Sequence, residues 1–189
     1  MGEPVTGEEA RALTRHAAVI AMAATVAALA VAIVIRVGWA PAARRTLGFA
    51  FAGVPARVGT AASILATNGR LLLAVLAAVL VAQSPWLPGL GARPGPVTIV
   101  LRTAIDVVLV LAVAANVGLV GAALGAYGMR MLVAMLPHGP LELAAFATAL
   151  ALYRDARRGP LPLRRVLTVA GGCLAALSVA ALMETFLVP

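Results

Sequence analysis

Five apolar runs, each close to the length of a bilayer crossing, alternate with short segments rich in arginine, proline and glycine. The runs are Ala17–Ile35, Ala61–Gln83, Ala104–Tyr127, Leu132–Tyr153 and Val166–Val188. A helix needs about 20 apolar residues to cross a hydrocarbon core of ~30 Å, so each run predicts one transmembrane helix. The expected fold is an all-α, polytopic membrane protein with five spans, one of them broken by proline. Residues 1–16 form a polar segment carrying Glu3, Glu8, Glu9, Arg11 and Arg15, and residues 17–189 form one transmembrane domain. Thr6 followed by Glu8 and Glu9 is a helix-start pattern. The first run resembles the apolar part of a signal peptide, but it is too long and no convincing cleavage site follows it.

The stretches between the runs are less regular. In Arg36–Gly59, Trp39, Phe49 and Phe51 alternate with Arg44, Arg45 and Arg57, and Pro41 and Pro55 interrupt it. This reads as an interfacial segment on the membrane surface; a sixth span there would carry Arg57 inside it. Ser84–Arg102 holds Pro85, Pro88, Pro94 and Pro96 and reads as a loop, with Trp86 as an interface anchor. Arg154–Arg165 is a basic loop.

Composition sharpens this picture. The chain is 62% hydrophobic and 12% charged, with mean hydropathy +1.02, which excludes an ordinary soluble domain. The net charge of +8 raises nucleic-acid binding. That reading fails because the arginines cluster at the ends of apolar runs, where they act as anchors and orientation signals. Counting by side with five spans, Arg11, Arg15, Arg93, Arg102, Arg154, Arg157, Arg158, Arg164 and Arg165 face one compartment, nine in all. Arg36, Arg44, Arg45, Arg57, Arg70 and Arg130 face the other, six in all. The excess places the N-terminus in the cytoplasm of a bacterial cell and the C-terminus outside. The single Cys173 sits in an apolar run and reads as a packing residue.

The chemistry-bearing residues are few. Pro137, His138, Gly139, Pro140 and Glu142 interrupt the fourth run. Pro140 suits the first turn of a helix, so the span is expected to break and restart there, with Glu142 in the favourable first turn. Asn68, Arg70, His138, Glu142 and Glu184 fall on one side of the membrane, and Asn116 lies deeper. They are expected to converge, with Arg70 bonding a carboxylate, because unpaired intramembrane charges are costly. Three uses remain open: a structural lock, a ligand, proton or ion site lining a cavity, or a metal site for intramembrane hydrolysis. One histidine and no HExxH make the last the weakest. Neither Ser63 nor Ser84 has a plausible base beside it. No catalytic residue, cofactor or metal is assigned. Gly118, Gly121 and Gly125 form a small-residue helix face that favours intramolecular packing over homo-oligomer formation.

Three stretches resemble one family. LPHGPLELAAF at Leu136–Phe146 looks like the PHG-x-x-E-L-x-A signature of the stage II sporulation protein M family. TNGRLLLAVLAAVL at Thr67–Leu80 resembles its Asn-Asn-x-Arg-leading span, with Thr67 in place of the first Asn. ALMETFLVP at Ala181–Pro189 resembles its Glu-x-aromatic-x-x-Pro ending. The resemblance covers roughly residues 60–189. It implies a polytopic inner-membrane protein without enzymatic activity, acting as a scaffold or subunit of an envelope complex. Its partners would be the lipid bilayer and other membrane or envelope proteins, including peptidoglycan-remodelling enzymes. A small transporter or channel subunit is the alternative reading, and a metal-dependent hydrolase the least favoured.

Overall fold

The computed structural model describes residues 7–49, 56–83 and 95–187, and the described part is entirely helical. The helices are α1 (Gly7–Val34), α2 (Ala40–Leu47), α3 (Val58–Ala82), α4 (Pro96–Tyr127), α5 (Met129–Met135), α6 (Gly139–Arg158) and α7 (Leu163–Leu187). Four stretches are long and apolar enough to cross a membrane: Gly7–Leu47, α3, α4 and α7. The pair α5 and α6, bent by 68°, makes a fifth if it is one broken span. This is the pattern of a multi-pass membrane protein. Outward faces agree with it. On α1, Val19, Met22, Val26, Leu29 and Ile33 recur at three- and four-residue spacing and are all exposed. Such a bulky apolar stripe is tolerable where lipid replaces water.

The centre of the bundle is α6, which packs against α1, α3 and α7. Ala145, Ala147, Ala149, Ala151, Leu152, Tyr153 and Ala156 are buried around nearly its whole circumference. Alanine lets three neighbouring backbones approach at once, which a stripe of leucines would prevent. Leu13 and Ala17 of α1, Leu72, Val75 and Val79 of α3, and Cys173 and Leu177 of α7 join this core. α4 reaches it through Leu109 and otherwise packs mainly on α1.

That α1–α4 contact rests on two glycines. A Cβ at Gly121 would stand 2.5 Å from the Ala28 carbonyl oxygen, and one at Gly125 would stand 2.5 Å from that of Ala32. The small-residue face is therefore intramolecular. Gly118 takes no part, since a Cβ there would meet nothing within 4 Å.

Several boundaries differ from the sequence expectation. α1 begins at Gly7, with Glu8 and Glu9 in its first turn, so residues 7–16 belong to the bundle and Leu13 is buried. Arg36 does not end the first helix. The chain runs on through a π-helical turn at Ile35–Trp39 into α2, which packs on α4. Pro41 sits in the first turn of α2, where its missing N–H is harmless, and the widened turn relieves its clash with the preceding backbone. Thus 36–47 continues the first helix. Among the described residues no sixth candidate span occurs. The loop before the third span ends at Gly95, because Pro96 starts α4 and takes Thr98–Arg102 with it. Residues 50–55 and 84–94, including Phe51, Pro55, Ser84, Pro85, Trp86, Pro88, Arg93 and Pro94, lie outside the described residues, as do Glu3, Thr6, Val188 and Pro189.

Candidate functional site

The break in the fourth run is where the sequence placed it. α5 ends at Met135 and α6 begins at Gly139, with Pro140 in its first turn. Between them the His138 N–H reaches back only three residues, to the Met135 carbonyl at 3.3 Å. Pro137 and Pro140 have no N–H, and the Pro140 ring would collide with the Leu136 carbonyl in a continuous helix. Regular bonding resumes as the N–H groups of Leu141 and Glu142 donate to the His138 carbonyl, at 3.0 and 3.2 Å. Gly128 makes the sharp turn from α4 into α5 at φ 59° and ψ −133°, a conformation that side-chain-bearing residues rarely adopt.

This geometry points His138 and Glu142 toward the C-terminal end of α7. One potential ligand atom from each of His138, Glu142 and Glu184 lies within 4.8 Å of the others. His138 Nε2 stands 3.9 Å from Glu184 Oε2, beyond hydrogen-bond range, and its side chain is 11% exposed. Its Nδ1 is buried with no hydrogen-bond partner. Asn68 of α3 donates from Nδ2 to Glu142 Oε1 at 2.5 Å. A cleft of about 200 Å³, lined by Ser63, Ile64, Thr67, Asn68 and Glu184, opens beside the cluster.

Two of the expected members are not there. Arg70 is exposed on the outer face of α3 and has no hydrogen bond or ion pair among the described residues. The cause is helical phase. Asn68 and Arg70 are two residues apart, about 200° around the helix, so they cannot share a face. Asn116 is also exposed, and its side chain bonds the Ala112 carbonyl of its own helix at 2.8 Å. The cluster thus holds two carboxylates and one imidazole with no arginine. It is short of positive charge and suited to a proton or a cation.

A second polar network, at the opposite end of the bundle, escaped the sequence reading. Asp106 of α4 accepts from Tyr153 Oη at 2.6 Å and from Arg157 Nη2 at 2.7 Å, both on α6. Asp155 accepts from Arg165 Nη2 at 2.8 Å, and His16 Nδ1 lies 3.6 Å from it. Gln83 donates to the carbonyls of Ala156 and Gly159 at 3.0 and 3.1 Å and accepts from the Leu161 N–H at 2.7 Å. The available signal was the four-residue spacing of Tyr153 and Arg157, which puts both on the face that meets Asp106.

Comparisons with protein-family models, curated proteins and solved structures found no match. The functional reading therefore rests on the geometry.

Proposed function

We propose that this protein is a non-enzymatic subunit or scaffold of a membrane complex, and that the outer face of α3 is where a partner helix docks. The carrying observation is Arg70. It is the middle residue of α3, with twelve residues on either side between Val58 and Ala82, and it faces outward without a partner among the described residues. On insertion scales an arginine costs ~2.5–3.5 kcal/mol at mid-bilayer and less toward either interface, so an outward, unpaired arginine within a span is best served by a carboxylate from outside the chain.

The surroundings support a helix as occupant. Ala62, Ala66, Arg70 and Ala74 follow one another at four-residue spacing, all exposed among the described residues. Small residues at that spacing are what close helix approach needs. Alongside runs an apolar groove of about 480 Å³ between α3 and α7, lined by Leu65, Ala66, Leu73, Leu167, Gly171 and Leu174 among others. A second copy is a poor occupant, because a two-fold contact through α3 would bring Arg70 near its own symmetry mate. The partner is a different membrane protein with an Asp or Glu in its span.

This agrees with the resemblance of Leu136–Phe146, Thr67–Leu80 and Ala181–Pro189 to the stage II sporulation protein M family. That family implies a complex acting at the bacterial envelope with peptidoglycan-remodelling partners. The arginine excess supports an inner-membrane orientation with a cytoplasmic N-terminus. The cleft beside Glu184 favours the transporter or channel reading to the extent that it opens the cluster from one side.

Arg70→Ala is expected to reduce recovery of the partner from gently solubilised native membranes at least tenfold. Arg70→Lys, which keeps the charge, should retain most of it. Neither should alter the melting of the isolated chain, since Arg70 makes no hydrogen bond or ion pair with any described side chain. Unchanged recovery with Arg70→Ala would remove the basis of the docking face.

A further inference from the structure

The cluster at the helix break has a composition the docking role does not use. Its two carboxylates come from different helices, Glu142 on α6 and Glu184 on α7, and both are only part-exposed. No arginine among the described residues reaches them. With a neutral imidazole and both carboxylates ionised, the set would carry two negative charges in a low-dielectric environment, which buried groups cannot sustain without a proton or a cation. His138 gives a second and separate sign. Its side chain is mostly buried, yet neither ring nitrogen makes a hydrogen bond to any described group. A buried imidazole normally satisfies at least one nitrogen.

We propose that His138, Glu142 and Glu184 bind a single divalent transition-metal ion of the Zn²⁺ class. An imidazole and two carboxylates neutralise a divalent charge, and nitrogen–oxygen sets of this kind suit zinc and its neighbours more than calcium or magnesium. Tetrahedral zinc with bonds of ~2.0–2.2 Å holds its ligands roughly 3.4 Å apart. The present atoms, all within 4.8 Å of one another, must close by up to about 1.4 Å to hold an ion. Asn68, bonded to Glu142, is placed to orient that ligand, as partners behind a metal's ligands commonly do. The cleft past Ser63, Thr67 and Asn68 supplies an entry path and room for a water as fourth ligand. Bound there, the ion ties the restarted end of α6 to the C-terminal turn of α7. The site clamps the bundle end, independently of whether α3 docks a partner.

The test uses the tag-free full chain, stripped with chelator in detergent, and titrated with Zn²⁺ alone by equilibrium dialysis with elemental analysis. One ion per chain is expected. His138→Ala and Glu184→Gln should each weaken binding at least tenfold, and Asn68→Ala by about 10- to 100-fold. Should the ligand variants lose helicity, the unmodified chain still decides, because Zn²⁺ should raise its melting temperature and Co²⁺ should give a tetrahedral visible spectrum. Absence of saturable one-to-one binding to the unmodified chain overturns the proposal. So does affinity that all three substitutions leave unchanged. The docking role is untouched by either outcome, since this assay contains no partner.

Discussion

Replacing Gly125 with leucine is expected to part α4 from α1 and to destabilise the protein by about 3 kcal/mol, the upper range for overpacking. Even the first added atom finds no room. A Cβ at Gly125 would lie 2.5 Å from the Ala32 carbonyl oxygen and 2.8 Å from Ile35 Cβ, and backbone cannot swing aside as a side chain can. Gly121 stands one turn earlier in the same relation to Ala28 and Val31, at 2.5 and 2.7 Å, and its leucine variant should behave alike. α2 should loosen with α4, since Arg44 Nε donates to the Ala126 carbonyl at 2.6 Å and Tyr127 Oη to the Arg44 carbonyl at 3.2 Å. Gly118→Ala is the control, with open space at its Cβ and no loss expected. Thermal unfolding in a mild detergent, followed by circular dichroism, reads the difference. Gly121 and Gly125 variants that melt with the unmodified chain would show that the α1–α4 contact is not the tight one described.

The second large effect is expected from Asp155→Ala. Asp155 holds Arg165 at 2.8 Å, where both side chains are mostly buried, 17% and 10% exposed. Removing the acid strands the guanidinium at the start of α7 and leaves His16 of α1 without its nearest charge. Breaking a buried pair costs ~3–5 kcal/mol, and partial exposure puts this case near the lower end. The cost is mainly that of the abandoned charge. Adding Arg165→Met to Asp155→Ala should therefore recover much of the loss, because a well-packed apolar pair replaces buried ions at little net cost. Equal melting for the single and double variants would mean that the pair acts otherwise.

Much of this bundle was legible in the chain, because hydropathy over twenty residues is a strong signal and intra-helical bonding is obligatory in lipid. The break at Pro137–Pro140 was legible for a harder reason, the missing N–H groups and the ring clash. Proline also misled. Pro41 and Pro96 were read as breaks, yet each occupies a first helical turn, where proline belongs. Position within a helix, which composition does not carry, decides between the two meanings.

The polar site was half legible. Depth brought Asn68, His138, Glu142 and Glu184 together, since the order of the apolar runs puts all four on one side of the membrane. Depth says nothing about direction. Arg70 shares that depth range but points the opposite way, two residues from Asn68 on the same helix. The Asp106–Tyr153–Arg157 and Asp155–Arg165 pairings were not legible, because they depend on which helices become neighbours around α6. No single-chain periodicity contains that. The same holds for the glycines. Gly118, Gly121 and Gly125 look equivalent on paper, and only the position of α1 separates the last two from the first.

The docking face is the point on which the functional account turns, and photocrosslinking in native membranes tests it most directly. A photoreactive residue at Ala66 or Ala74, flanking Arg70 on the outward stripe of α3, should capture one membrane protein. The linked peptide should be a transmembrane segment with an Asp or Glu within about one helical turn of the crosslink. A probe at Val108, on the lipid-facing side of α4, should capture lipid only. Reversing the charges, with Arg70→Glu here and arginine at the partner's acid, should restore a crosslink that Arg70→Glu alone abolishes. Lipid adducts alone at all three positions, or a crosslink indifferent to the charge at position 70, would contradict the account.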